Sequence, residues 1–309
     1  MEKIGILYDP IFMLHNPGPD HPESAVRLEA VMEAIDSSRV ERIAIKAVPA
    51  SQEELLLVHD KQYVDYILAL EIRDSMQLDL DTAISEHSKE AALKAAGGVI
   101  ESVRWILDER IKRAFCAVRP PGHHAESDRS MGFCIFNNVA LGAAYAISQG
   151  VDRVAVIDWD LHHGNGTQNA FYISDKVLYI STHQAPYYPG TGYENERGSG
   201  AGIGYNFNIP MPSGSSDADF RGAFDEIIIP ELRNFIPEII FISAGFDAHR
   251  DDPLGGLRLT TEFFGEMTRM LVDVANDHSN GRMISVLEGG YSPKALKECV
   301  ALHIKELSN

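Results

Sequence analysis

The sequence predicts one α/β domain built on a mainly parallel sheet. Three observations carry that prediction. Short apolar, β-rich runs alternate along the chain with longer helix-like stretches, the order that sets helices between parallel strands. Several of the runs are apolar on both faces, as expected of strands covered on each side. No internal repeat, low-complexity tract or shift in composition marks a linker. Residues 1–309 therefore read as a single domain, long on the usual expectation but ordinary for an α/β unit.

Taken in order, the strand-like runs are Ile4–Tyr8, Ala114–Val118, Val154–Asp158, Val177–Thr182, Tyr205–Ile209, Ile239–Ser243 and Met283–Leu287. The clearest helix is Ser88–Leu107 (SKEAALKAAGGVIESVRWIL), with Ser88 placed to cap it. Asn138–Gln149 and Ser215–Phe235 follow, the latter stopped near Pro237. In such sheets ligands bind beyond the carboxyl ends of the strands.

Composition narrows the function classes. With 45% hydrophobic residues the chain can bury a large core. It holds no apolar run of about 18 residues that would span a membrane. The opening MEKIGILYDP has no basic segment followed by a long apolar one, so it reads as a strand rather than an export signal, and the expected compartment is the cytoplasm. The three cysteines (Cys116, Cys134, Cys299) are odd in number and widely spaced, which argues against a disulfide framework or a thiolate metal site. A net charge of −18, from 27 basic and 45 acidic residues, would repel a phosphate backbone and favour a cationic substrate. It fits solubility equally well.

Four polar clusters each follow a strand directly: Pro120-Pro121-Gly122-His123-His124, Asp158-Trp159-Asp160-Leu161-His162-His163-Gly164, Ala244-Gly245-Phe246-Asp247 and Glu288-Gly289-Gly290-Tyr291. In an extended chain Asp158, Asp160 and His162 share one face. Carboxylates set side by side are costly unless a cation neutralises them. Asp160 and His162, with Asp247 as a third ligand from another strand end, would leave one coordination position open, as a catalytic zinc site requires. Asp247 alone would read as a turn residue. The set with a strand-end His-His does not.

These clusters, together with HPESAVRL (His21–Leu28), ELLLVHDKQYV (Glu54–Val64), RPPGHHAE (Arg119–Glu126), GFCIFNN (Gly132–Asn138), DWDLHHGNGTQ (Asp158–Gln168), PYYPGTG (Pro186–Gly192), SAGFDAHRDDPLGG (Ser243–Gly256) and EGGY (Glu288–Tyr291), resemble the histone-deacetylase superfamily. Its members include lysine deacetylases, acetylpolyamine amidohydrolases and acetoin-utilisation proteins. The likeness runs over almost the whole chain, and DWDLHHGNGTQ with SAGFDA looks like the class II branch and its bacterial relatives. It implies the three-layer arginase/deacetylase-type α/β fold and hydrolysis of an acetyl amide.

Position by position, the resemblance implies Asp160, His162 and Asp247 as ligands of Zn²⁺ (or Fe²⁺), His123 and His124 as the tandem active-site histidines, and Tyr291 as the catalytic tyrosine. Asp158 matches the carboxylate behind His123. Behind His124 stands Asn165, where the class I branch has Asp; a neutral partner leaves His124 less cationic and suits it to act as a base. Gly132 and Phe133 match one wall of a substrate tunnel, with Tyr188 opposite where the family usually has Phe. Leu254 falls at the tunnel mouth, apolar as in lysine-directed relatives, and Asp251 or Asp252 could stand in as a carboxylate there. A structural K⁺ is implied at Asp158, Asp160, His162, Ser181 and Thr182, and a second at Phe171, Ser174, Val177 and Tyr205. The implied partner is an acylated lysine peptide or a small acyl-amine, with no nucleic acid or membrane; the oligomeric state stays open.

Asp247-Ala-His249-Arg250-Asp251 spells the Asp-Ala-His-x-Asp motif of the two-manganese ureohydrolases, but no Ser-x-Asp-x-Asp strand end accompanies it, and His249 reads as a surface residue near the tunnel rim. An acyl-amine binding module without turnover would be expected to lack Tyr291 or a metal ligand, and all are present.

Overall fold

The computed structural model describes residues 3–309. Its strands are β1 (Ile4–Leu7), β2 (Arg42–Ile45), β3 (Met76–Gln77), β4 (Ala83–Ile84), β5 (Arg113–Cys116), β6 (Val154–Asp158), β7 (Val177–Gln184), β8 (Asn206–Met211), β9 (Ile239–Ala244) and β10 (Met283–Leu287). Eight of them form one sheet in the order β2-β1-β5-β10-β9-β6-β7-β8, and every pairing in it is parallel. Helices cover the sheet in a three-layer α/β arrangement. Ala25–Ser38, Thr261–His278 and Pro293–Leu307 pack together, while Ser88–Leu107 packs with Asn138–Ser148. All residues of β5, β6, β7, β9 and β10 are buried, which is why these strands read as apolar runs without alternation.

Differences from the sequence expectation lie where burial is partial or a turn intervenes. β2 is an edge strand whose first three residues are exposed, so it carries no apolar run to find. β3 and β4 form a hairpin of two residues per strand. Ser88 is the first helical residue rather than the cap, and His87 holds the cap position. The Ser88 hydroxyl instead bonds His15 Nδ1 at 2.7 Å and accepts the Ser85 N–H at 2.8 Å. The expected helix over Ser215–Phe235 starts at Asp217 and contains a π turn, Phe224–Ile228. Pro230 follows at once; its ring and missing N–H disturb a regular α ladder, and a widened turn accommodates that.

The order of the sheet matters most for function. β5, β10, β9 and β6 are adjacent and parallel, so their carboxyl ends lie along one edge, and each leads into one of the four polar clusters. No helix among the described residues is long and apolar enough to cross a membrane.

Candidate metal centre and tunnel

β6 ends at Asp158, and the chain then turns rather than continuing extended. The expectation that Asp158, Asp160 and His162 align by strand alternation is therefore corrected. Two successive Asx turns do the work: Asp158 Oδ1 accepts the Asp160 N–H at 3.2 Å, and Asp160 Oδ1 accepts the His162 N–H at 2.8 Å. The carboxylates diverge as a result. Asp158 turns toward His123 and accepts its Nδ1–H at 3.1 Å, with Tyr179 donating at 3.2 Å. Asp160 turns toward Asp247.

Asp160, His162 and Asp247 form a group of ligand-type side chains whose atoms all lie within 4.8 Å of one another. His162 Nδ1 stands 3.1 Å from Asp160 Oδ1 and 3.2 Å from Asp247 Oδ2. Ligands at about 2.0–2.1 Å from a tetrahedral Zn²⁺ are spaced roughly 3.3 Å apart, so these separations fit such an ion. Apart from this approach of the His162 ring, Asp247 Oδ2 is buried with no hydrogen-bond partner among the described residues, which a buried carboxylate oxygen seldom is. Burial and the Asp160 carboxylate push the Asp247 carboxyl well above the usual carboxylate range. Against burial, which lowers it, the same two carboxylates drive the His162 imidazole up to about 9. The site calls for positive charge, and its oxygen and imidazole donors suit several divalent ions. The Gly289 N–H donates to Asp160 Oδ2 at 2.8 Å. A Cβ on Gly289 would stand 2.1 Å from Asp247 Oδ2, so only glycine lets the backbone come this close.

His123 and His124 lie with ring centroids 4.0 Å apart in different electrostatic settings. Burial lowers His123, but Asp160, Asp158 and Glu288 outweigh it and raise the ring to about 10. His124 is held well below the ordinary histidine range by burial and by the neighbouring His123 and His162 rings. Its Nδ1 contacts Asn165 Oδ1 at 2.7 Å. Asn165 Nδ2 donates to the His124 carbonyl at 3.2 Å and to Glu126 Oε1 at 2.5 Å, which fixes the amide orientation. Nδ1 must then carry the proton, leaving Nε2 as the acceptor.

Above these groups is a cavity of about 110 Å³ lined by Phe133, Tyr188, Gly132, Leu254, Tyr291 and the histidines, with Asp81 and Pro121. It is smaller than the roughly 300–1,000 Å³ of most ligand pockets and suits a slender chain. Tyr188 meets His124 edge-on at 5.2 Å and His162 at 6.0 Å. Phe133 lies 6.2 Å from the Tyr291 ring. Gly132 has φ +57°, and a Cβ there would be 2.3 Å from the His124 ring. Burial raises the Tyr291 hydroxyl well above the usual tyrosine range, although Arg27 opposes the shift; it stays protonated and able to donate.

For the cation positions implied by resemblance, Asp158 pairs in register with Ser181 across β6 and β7. Ser181 Oγ contacts His183 Nδ1 at 2.9 Å, and Thr182 Oγ1 is buried with no hydrogen-bond partner among the described residues. At the second set, the Phe171 carbonyl accepts the Ser174 N–H, and the Tyr205 carbonyl accepts the Tyr179 N–H, both at 2.9 Å; Val177 opens β7.

Two expectations are corrected. His249 is buried, with Nε2 3.1 Å from Thr261 Oγ1, and is not a surface residue. Asp252 offers no free carboxylate at the rim, because both its oxygens accept backbone N–H groups, from Leu254 and Tyr291; Asp251 is exposed.

Several residues escaped the sequence reading. Asp81 Oδ1 accepts the Gly132 N–H at 3.0 Å. Glu288 Oε2 accepts the Gly122 N–H at 2.7 Å and the His123 N–H at 3.2 Å, seating the His-His segment. Glu23 is clasped between Arg27 and Arg119, all three buried. Arg27 also donates to the Glu288 and Gly290 carbonyls, with its guanidinium carbon 4.9 Å from the Tyr291 ring centroid. The charges inside HPESAVRL were the available signal; apart from the Glu23–Arg27 pair itself, their partners lie 96 and more residues away in sequence.

The family model of the histone deacetylase domain matches residues 21–307. A protein named probable deacetylase from Archaeoglobus fulgidus is 43% identical over 292 residues, covering 93% of this chain and 81% of that one. A histone deacetylase-like amidohydrolase from Pseudomonas aeruginosa is 39% identical, covering 94% and 76%. Histone deacetylase 5 of Arabidopsis thaliana is 37% identical, but the chain spans only 46% of its length. The crystal structure of the HDA15 HD domain superposes with a TM-score of 0.92 at 36% identity, covering 98% of this chain and 90% of that one.

Proposed function

The chain belongs to the histone deacetylase family and has that family's amidohydrolase activity on acyl amides; from this premise we propose that residues 1–309 form one domain that removes the acetyl group from Nε-acetyl-lysine in peptides or proteins, served by one Zn²⁺ or Fe²⁺. The observation that carries the reading is a slender cavity lined by His123, His124, His162 and Tyr291, which His162 shares with the Asp160–His162–Asp247 group.

Asp160, His162 and Asp247 would hold the ion. When bound, a divalent cation lowers the pKa of water toward 7 and polarises a carbonyl. The chain's own groups do the rest. Phe133 and Tyr188 flank the lysyl methylenes and leave the acyl amide at the floor. His124 Nε2 takes a proton from the attacking water as its oxygen bonds to the carbonyl carbon, then hands it to the amine nitrogen as the C–N bond breaks, releasing acetate and lysine. Tyr291 donates a hydrogen bond to the oxyanion that forms. His123, held by Asp158, keeps positive charge beside the site. Asn165, braced by Glu126, holds His124 in the tautomer this step needs. Asp158 with Ser181, and the orphaned Thr182 hydroxyl, support a structural K⁺ behind β6 and β7; Phe171, Ser174, Val177 and Tyr205 would hold a second.

Leu254 supports lysine over polyamine, since a second ammonium would want a carboxylate there, and Asp252 is already engaged. Asp81, the one carboxylate among the lining residues, favours the polyamine reading. A panel of kcat/KM values decides. Acetyl-lysine peptides should be turned over at least as well as acetylated polyamines, and Leu254→Glu should shift the ratio toward polyamines. A wild-type preference of tenfold for polyamines, about 1.4 kcal/mol in transition-state binding, would overturn the lysine assignment.

A further inference from the structure

Tyr291 follows two glycines, and Gly290 has φ +123°. Such a segment is free to move unless it is held. The carbonyls of Glu288 and Gly290 are held by Arg27. The Tyr291 N–H is held by Asp252, whose Oδ2 accepts it at 2.6 Å. The other oxygen, Oδ1, accepts the N–H of Leu254 at 3.0 Å. Leu254 lines the tunnel, and its carbonyl accepts the Tyr187 hydroxyl. The Tyr187 ring lies 5.7 Å from the His162 ring. A single buried carboxylate, 7% exposed, thus joins the loop at the rim of the tunnel to the residue that carries the oxyanion donor.

We propose that Asp252 is a positioning residue for the reaction, fixing Tyr291 relative to the tunnel rim by bridging the Tyr291 and Leu254 backbone N–H groups. It does not touch the substrate. A carboxylate suits the task because it accepts on both oxygens, and hydrogen bonds to a charged acceptor are about twice as strong as neutral ones. An asparagine keeps one acceptor oxygen and turns an N–H₂ toward the other backbone N–H. Alanine removes both. Displacing a reacting group by about 1 Å can cost up to about 10²-fold in rate.

The inference rests on the deacetylase reading, and its test is arranged so that the two fail separately. Asp252→Ala should lower kcat on an acetyl-lysine peptide by about 10–10²-fold, with metal content unchanged, and Asp252→Asn by less. In a Tyr291→Phe background, Asp252→Ala should add less than about threefold, because a residue that acts through Tyr291 has nothing left to position. An equal loss in both backgrounds would overturn the proposal. Hydrogen exchange followed by mass spectrometry gives a readout that needs no turnover. Amides of residues 288–292 should exchange faster in Asp252→Ala and Asp252→Asn than in the wild type, and unchanged protection of that segment would also overturn it. A wild-type chain inactive on every acyl amine would sink the deacetylase reading, while the exchange result still decides whether Asp252 holds the Tyr291 segment.

Discussion

His123 and His124 occupy consecutive positions and nearly touching rings, yet their partners give them opposite properties. A carboxylate behind His123 favours its charged form, and an amide behind His124 does not. His124→Ala should therefore abolish turnover more completely than His123→Ala; single-turnover rates for the two variants check this, and the reverse order would exchange their roles. Tyr291→Phe should keep metal and fold but lower kcat by about 10²–10³-fold, the loss usual for one oxyanion donor. Unchanged kcat with a raised KM would make Tyr291 a binding residue only. At this scale much of the site was legible, because His-His, Asp-x-Asp-x-His and Gly-Gly-Tyr are unusual strings. Asp252 was read as a spare acid because nothing in a sequence tells whether a carboxylate faces a ligand or two backbone amides.

Four strand ends make the site, and the close approach of β10's exit to β6's exit is what glycine permits at position 289. Gly289→Ala should press on both Asp160 and Asp247, lowering bound metal per chain along with activity; elemental analysis at wild-type content would show that the loop shifts without cost. The buried strands were visible as apolar runs. β2 was not, since its outward face is solvated, and the π turn before Pro230 looked like ordinary helix because both place apolar side chains at similar spacing. The Asx turns after Asp158 were likewise hidden: Asp-x-Asp-x-His is compatible with an extended strand and with two turns, and only the hydrogen bonds distinguish them.

Three buried histidines away from the candidate metal ligands contribute to the acid sensitivity of the whole molecule. Burial lowers His59 and His183 to about 4 and His303 to about 3. Each is neutral in the folded state and takes up a proton on unfolding in the window between its lowered value and the ordinary one near 6.5. Their stabilising contribution is therefore full above pH 6.5 and is lost as pH falls toward 4, at a limiting slope of about 1.4 kcal/mol per pH unit for each. Denaturant unfolding between pH 7 and 5 should show stability declining; a flat curve would contradict it.

Everything proposed for this site depends on the Asp160, His162 and Asp247 side chains holding the one divalent ion that acyl-amide hydrolysis requires. The direct measurement is metal content and deacetylation rate on the same preparations of wild type and Asp247→Ala. About one ion per chain is expected in the wild type, with loss of both ion and turnover in the variant. Full metal occupancy in Asp247→Ala, or turnover by metal-free wild type, would contradict it.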